Sequence, residues 1–199
     1  MAGQLGSIVA GYDEVGRGCI AGPVIAAAVL FRAGDCPVPG LADSKTLDAQ
    51  QRAALAPVIT RRAVAWAIGR AEVGEIDRLN ILEASLLAMR RAHAALPVAP
   101  DWALVDGNRY PGLPCPGRAV IGGDRSEPVI SAASILAKVF RDREMGVLDL
   151  LHPGYGFAAH KGYPTQSHRL ALKALGISPA HRRSFAPVRQ LAERLCTSD

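Results

Sequence analysis

The order of apolar runs predicts an α/β fold: a mixed β-sheet flanked by helices, with a small C-terminal helical extension. Three observations predict it. Strand-like runs come early, at residues 7–12, 20–32 and 63–73. Two shorter apolar runs, 102–105 and 119–121, then alternate with helical stretches. Beyond His152, loops rich in histidine, glycine and tyrosine lead into two helical segments. Strands first and helices interleaved afterwards is the pattern of one mixed sheet with helices on its faces.

Each element has its own signal. Residues 7–12 read as a buried strand ending at Asp13-Glu14, and Val15-Gly16-Arg17-Gly18 breaks it. A hairpin leads into 20–32, rich in Val, Ile and Ala, with Pro23 tolerated near its start. Two prolines and a glycine make 35–44 a loop. Residues 47–60 have helical character, with Asp48 near the N-terminus. After the strand at 63–73, one long helix is expected over 76–96, with Ile81, Leu82, Leu86, Met89 and His93 near one stripe. The strand at 102–105 stops at Asp106-Gly107-Asn108, and that at 119–121 stops at Gly122-Gly123-Asp124. Pro128 suits the first turn of a long helix over 129–151, with Ile130, Ala133, Ile135, Ala137 and Val139 as its core candidates. A helix over 166–175 closes at Gly176, and a last one is expected over 187–196.

A chain of 199 residues, 49% of them hydrophobic, suits one domain over 1–199, in which about 150–199 form the C-terminal part. The net charge of +5 favours a polyanionic partner. The four cysteines form no CxxC pair and suit neither zinc nor a disulfide framework, so reduced thiols are expected. The N-terminus lacks the regions of a signal peptide, and the best apolar run, 20–31, is about half a membrane span. The expectation is a soluble cytoplasmic protein without membrane contact.

Three acidic positions share one context. Asp13-Glu14, Asp106 and Asp124 each follow an apolar strand-like run with glycine nearby. Taken singly, each reads equally well as a turn or a helix cap. Taken together they suggest a crevice at strand ends, where clustered carboxylates repel unless cations bind between them. Hard oxygen ligands suit Mg²⁺ or Mn²⁺, and two-metal sites serve phosphoryl transfer. Strand alternation separates Asp13 from Glu14 unless the backbone turns at Val15-Gly16.

The same residues resemble a family. Gly11-Tyr12-Asp13-Glu14-Val15-Gly16-Arg17-Gly18 with Gly22-Pro23 is similar to the opening signature of ribonuclease HII. The resemblance continues through Asp43-Ser44-Lys45, Val105-Asp106-Gly107-Asn108, Gly123-Asp124 and the stretch from Ile130 to Val139. It closes with Tyr155-Gly156-Phe157, the run from His160 to Thr165, and His181-Arg182-Arg183-Ser184-Phe185. It implies a ribonuclease H-like fold. It also implies cleavage of the RNA strand of RNA–DNA hybrids, and cleavage 5′ of single ribonucleotides in duplex DNA, leaving 5′-phosphate and 3′-hydroxyl ends. By the family's pattern Asp13, Glu14, Asp106 and Asp124 are the catalytic metal ligands. Gly16-Arg17-Gly18 would sense the ribose 2′-OH, and Tyr163 would stack on the deoxyribose that follows. Arg17 in the glycine loop favours the HII type over HIII, and a monomer is the family's default.

Further contacts are expected from residue type. Lys45 and Lys138 suit phosphates, and Ser131, Ser134 and Lys138 share one helix face at spacings of three and four. His152, His160, His168 and His181 fit no standard zinc spacing and read as loop or helix-end residues. Arg61-Arg62, Arg90-Arg91 and Arg182-Arg183 read as solvated faces. Two other classes stay open: a binding module that has kept a nuclease fold, and a metal-dependent nuclease for another substrate.

Overall fold

The computed structural model describes residues 6–35, 38–41 and 47–196, so Lys45 and its Asp43-Ser44-Lys45 motif lie outside the described residues. Five strands form one sheet: β1 (Ile8–Val15), β2 (Val24–Arg32), β3 (Ala65–Ala71), β4 (Trp102–Asp106) and β5 (Gly117–Val120). Their order is β3-β2-β1-β4-β5. β1–β2 and β2–β3 are antiparallel, whereas β1–β4 and β4–β5 are parallel. The expected mixed sheet flanked by helices is therefore present. The helices are α1 (Ala49–Arg62), α2 (Val73–Leu79), α3 (Ile81–Ala94), α4 (Gly123–Ser126), α5 (Pro128–Leu151), α6 (Phe157–His160), α7 (Gln166–Leu175) and α8 (Ala186–Cys196).

Strand alternation sorts the core into two layers. On β2, Val24, Ala26, Ala28 and Leu30 pack with Ala84, Leu86, Ala88 and Met89 of α3. Ala27, Val29 and Phe31 face the other way, onto α5 and onto Ala56 and Ile59 of α1. Both helix layers approach the sheet through glycine. A Cβ on Gly11 would lie 2.3 Å from the Val129 carbonyl carbon, and one on Gly69 would lie 2.1 Å from the Ala88 oxygen. The N-terminal turn of α5 thus rests directly on β1, the strand that carries Asp13 and Glu14.

Two expectations need correcting. β1 runs on through Asp13 and Glu14, paired with Ala27 and Ala26 of β2, and does not end before them. The expected helix over 76–96 is two helices, α2 and α3, broken at Asn80. Asn80 takes φ 75° and its side chain accepts from the Leu82 and Glu83 N–H groups. Asparagine tolerates the left-handed region and is a strong N-cap, so the local bonds outweigh helix continuity. Among the described residues no helix is long and apolar enough to cross a membrane.

The C-terminal part is tied to the loop between β1 and β2. Ala21 bridges His181, and Gly22 N–H donates to the Ala180 carbonyl at 2.8 Å. Ala21, Met145, Tyr155, Phe157 and Ala180 form one small apolar cluster. Ile20, Leu172 and Val188 form another.

Candidate active site

Asp13 and Glu14 obey strand alternation. Asp13 is 6% exposed and faces α5, where it bonds the Ser134 side chain. Glu14 faces α3, in a cleft shared with Arg17, Ser85, Met89, Asp106 and Arg109. Asp106 ends β4 beside both, and its charge raises the carboxyl pKa of each. Burial is the first cause of the rise at Asp13, with Glu14 next, and together they hold its carboxyl well above the ordinary carboxylate range. The Ser134 hydroxyl and the Glu14 N–H, 2.7 Å from Asp13 Oδ1, work in the opposite direction. At Glu14 burial again leads the rise, opposed by Arg17, whose Nη1 lies 3.1 Å from Oε1.

Asp124 arrives by a different route. It does not end a strand; it sits in the single turn α4, after Gly122 in the left-handed region at φ 67°. Its N–H points to Asp106 Oδ1 at 3.3 Å. Ser131 Oγ on α5 donates to the Asp124 carbonyl at 2.7 Å, which fastens this turn to the long helix. Ser131 and Ser134 are thus already committed, one to the Asp124 backbone and one to the Asp13 carboxyl. Lys138, expected to suit a phosphate, pairs with Asp142 one turn along α5, at 2.7 Å.

The glycine loop lies beside these carboxylates. Gly16 takes φ 97°, and a Cβ there would fall 2.1 Å from Arg141 Nε, so a side chain is excluded twice over. Arg141 is fully buried and donates to the carbonyls of Pro23, Lys161 and Ala21 at 3.3, 2.8 and 3.2 Å. Arg182 is also fully buried, contrary to the expected solvated face, and donates to Gly22 and Arg17 carbonyls at 2.9 and 3.2 Å. Five loop or adjoining carbonyls thus point inward at two guanidinium groups. Tyr163 completes the margin: its ring, 44% exposed, comes within 4.0 Å of a Cβ built on Gly18.

The sequence model described as Ribonuclease HII matches residues 10–188. Over 194 residues the chain is 63% identical to Ribonuclease HII of Methylococcus capsulatus, with 98% of this chain and all of that protein covered. The chain belongs to the ribonuclease HII family. Ribonuclease HII of Nitrosococcus oceani is 58% identical over 189 residues, covering 95% of this chain and 94% of that protein. Among solved structures, ribonuclease H2 from Pyrococcus horikoshii superposes with TM-score 0.80 at 28% identity, covering 95% of this chain and 99% of that one. Ribonuclease HII of Archaeoglobus fulgidus, solved in complex with PCNA, gives TM-score 0.71 at 26% identity, over 90% and 95%. The fold is ribonuclease H-like, and the family's activity is that of a ribonuclease H, a nuclease.

The family's frame also contains a feature that residue spacing concealed. His160, His168 and His181 are not scattered loop residues. The rings of His160 and His168 stack at 4.1 Å, and His168 Nε2 meets His181 Nε2 at 3.1 Å. His168 and His181 are 0% and 2% exposed, packed around Phe157 and Tyr155. Burial pushes both pKa values down to about 4, aided at His168 by the neighbouring His160 and at His181 by His168, with His152 and His160 adding less. Unfolded, these rings bind protons near pH 6.5, so acidification from there to pH 4 favours the unfolded chain. Each ring contributes a slope of up to about 1.4 kcal/mol per pH unit in that window. The carboxylates with raised pKa act with the opposite sign, so a comparison isolates the rings. A His168→Gln protein is expected to show a shallower acid loss of urea stability than the parent over this window, and equal slopes would contradict the assignment.

Proposed function

We propose that the chain is a divalent-metal-dependent endonuclease that hydrolyses the RNA strand of RNA–DNA hybrids and cuts 5′ of single ribonucleotides in duplex DNA. The products would carry 5′-phosphate and 3′-hydroxyl ends, and the role would be removal of ribonucleotides from DNA. One observation supports this above the rest. Asp106, at the end of β4, sets its charge against both Asp13 and Glu14 of β1, Asp124 is bonded alongside through its N–H, and Glu14 pairs with Arg17 of the glycine loop that Tyr163 borders.

The donor set fits a hard divalent cation, Mn²⁺ or Mg²⁺, because mutually repelling carboxylates gain from a cation between them. Asp13, Glu14, Asp106 and Asp124 would hold it. Among the described residues no three such groups are already gathered into a cage. Once bound, the cation supplies Lewis acidity to the phosphate and acidifies an attacking water. The chain's own residues do the positioning. Ser134 and the Glu14 N–H hold the Asp13 carboxyl, and Arg17 holds Glu14. Gly16, Arg17 and Gly18 would present backbone groups to the 2′-OH, the group that separates RNA from DNA. Tyr163 would stack on the next deoxyribose, Lys45 and Lys138 would contact phosphates, and Ser134 would serve the substrate through the Asp13 carboxyl that it holds. We take residues 1–199 as one catalytic domain acting as a monomer, with the C-terminal part in substrate binding. A cytoplasmic setting suits Cys19 and Cys115, both unpaired.

The test is a pair of labelled duplexes, one all DNA and one with a single ribonucleotide, in Mg²⁺ or Mn²⁺ and in EDTA. Cleavage is expected 5′ of the ribonucleotide, with none in EDTA and none of the all-DNA duplex. An Asp106→Asn protein is expected to lose at least about a thousandfold in rate, the scale of several kcal/mol of charge stabilisation. Full metal-dependent cleavage by that variant would overturn the assignment.

A further inference from the structure

A directional chain of buried polar groups runs from Ser178 to the backbone of Tyr163. Ser178 N–H donates to His181 Nδ1 at 3.1 Å, and the Ser178 hydroxyl lies 2.8 Å from the same nitrogen. With Nδ1 accepting, the neutral His181 ring carries its proton on Nε2. That N–H faces His168 Nε2 at 3.1 Å, so His168 accepts there and carries its own proton on Nδ1. His168 Nδ1–H then donates to the Tyr163 carbonyl at 2.9 Å. One tautomer at each ring satisfies every contact. The stacked His160 is oriented independently: its Nδ1 accepts from Gly162 N–H at 3.2 Å and its Nε2–H donates to the Tyr155 carbonyl at 2.8 Å.

The chain ends on the residue whose ring borders the glycine loop. Tyr163 N–H donates to the His160 carbonyl at 2.9 Å, and its own carbonyl also receives Thr165 N–H at 2.8 Å. Pro164 restricts Tyr163 to extended backbone. Packing alone does not call for this arrangement, because apolar rings would fill the same space without the cost of burying imidazoles. What two hydrogen-bonded imidazoles add is direction: one tautomer pair and one place for the Tyr163 carbonyl.

We propose that His181 and His168 are positioning residues for the nuclease reaction, holding the Tyr163 backbone so that its ring meets the sugar following the cleaved ribonucleotide. This rests on the reading of Tyr163 given above. The pair would then influence discrimination on the 3′ side of the ribonucleotide, without touching substrate.

The experiment is a double-mutant cycle on a duplex with one ribonucleotide followed by DNA. His168→Phe keeps a ring and removes both bonds; Tyr163→Ala removes the stacking ring. The His168→Phe protein is expected to raise KM about tenfold with kcat within about twofold, as expected for lost binding rather than lost chemistry. The double variant is expected to be no worse than Tyr163→Ala, because both act through one ring. His168→Asn, whose amide can donate where Nδ1–H did, is expected to recover most of the loss. If Tyr163→Ala cleaves like the parent, both the Tyr163 reading and this inference fall. If Tyr163→Ala is impaired but the two losses multiply, the inference alone falls. A measurement free of folding effects is ¹⁵N NMR of the unaltered protein at neutral pH. It should show His181 protonated on Nε2 and His168 on Nδ1; any other tautomer pair overturns the proposal.

Discussion

An Asp13→Asn protein is expected to lose cleavage and, in the absence of divalent cations, to melt at a higher temperature than the parent. Asp13 is 6% exposed and lies against two other carboxylates, so burial and their charge disfavour its ionised form. The sign follows from linkage. A carboxyl whose folded pKa is raised contributes stability below its unfolded pKa and loses it as pH rises through the folded value. At neutral pH the metal-free parent bears that loss and the asparagine variant does not. Asparagine is also nearly isosteric, and its oxygen can keep the 2.7 Å bond from Glu14 N–H. For a chain of this length each 1 kcal/mol corresponds to about 2–4 °C. A rise of several degrees is therefore expected in EDTA, together with a loss of at least about a thousandfold in rate. Millimolar Mg²⁺ or Mn²⁺ should stabilise the parent, since a ligand bound to the folded state raises its melting point, and should stabilise the variant far less. A variant that melts below the parent in EDTA, or that keeps the full cation-induced shift, would remove Asp13 from the proposed cation site.

The site was legible where one residue type could be read against one local pattern. Apolar runs placed β1, β4 and β5, and Asp106 at the end of β4 followed from the run that precedes it. The pairing of Asp13 with Glu14 was harder, because alternation sends the two side chains to opposite faces. The structure keeps that alternation and joins them through Asp106, a residue from another strand that borders both. No local pattern contains that third member. The break at Asn80 did have a local signal: Asn80 with Glu83 three positions on is the start of a capped helix, and the continuous apolar stripe overshadowed it. The histidine chain had none. His168 and His181 stand 13 positions apart on separate segments, and only the tertiary fold brings their rings together. Arg182 misled for the same reason. An arginine beside a second arginine reads as solvated, yet this one is buried because the loop at 17–22 offers it carbonyls.

A second set of carbonyls makes Arg141 the side chain whose loss should cost most stability. Arg141→Leu leaves the Pro23, Lys161 and Ala21 oxygens without their donor. The Lys161 oxygen keeps the Cys19 thiol at 3.4 Å, so two carbonyls are left unsatisfied at about 1–3 kcal/mol each, roughly 4 kcal/mol together. Removing a buried positive charge offsets part of this, but the guanidinium is already solvated by the same carbonyls, so the lost bonds should win. Against a total stability of about 5–15 kcal/mol, the variant should melt at least several degrees lower. Arg182→Leu should cost less. It frees two carbonyls, and it also removes Nη2, a buried donor with no partner among the described residues, in a group packed over the Phe185 ring at 5.1 Å. Arg141→Lys should fall between the parent and Arg141→Leu, because one ammonium on a flexible stem cannot match a fork that serves three oxygens. A melting series in EDTA and in Mg²⁺ tests the order. If Arg182→Leu proves the more damaging, the loop is held chiefly from the C-terminal side, and Arg141 cannot be its main anchor. If Arg141→Leu is the more damaging and also weakens discrimination between ribonucleotide-containing and all-DNA duplexes, then the inward carbonyls are what leave the Gly16–Gly18 backbone set to meet a 2′-hydroxyl.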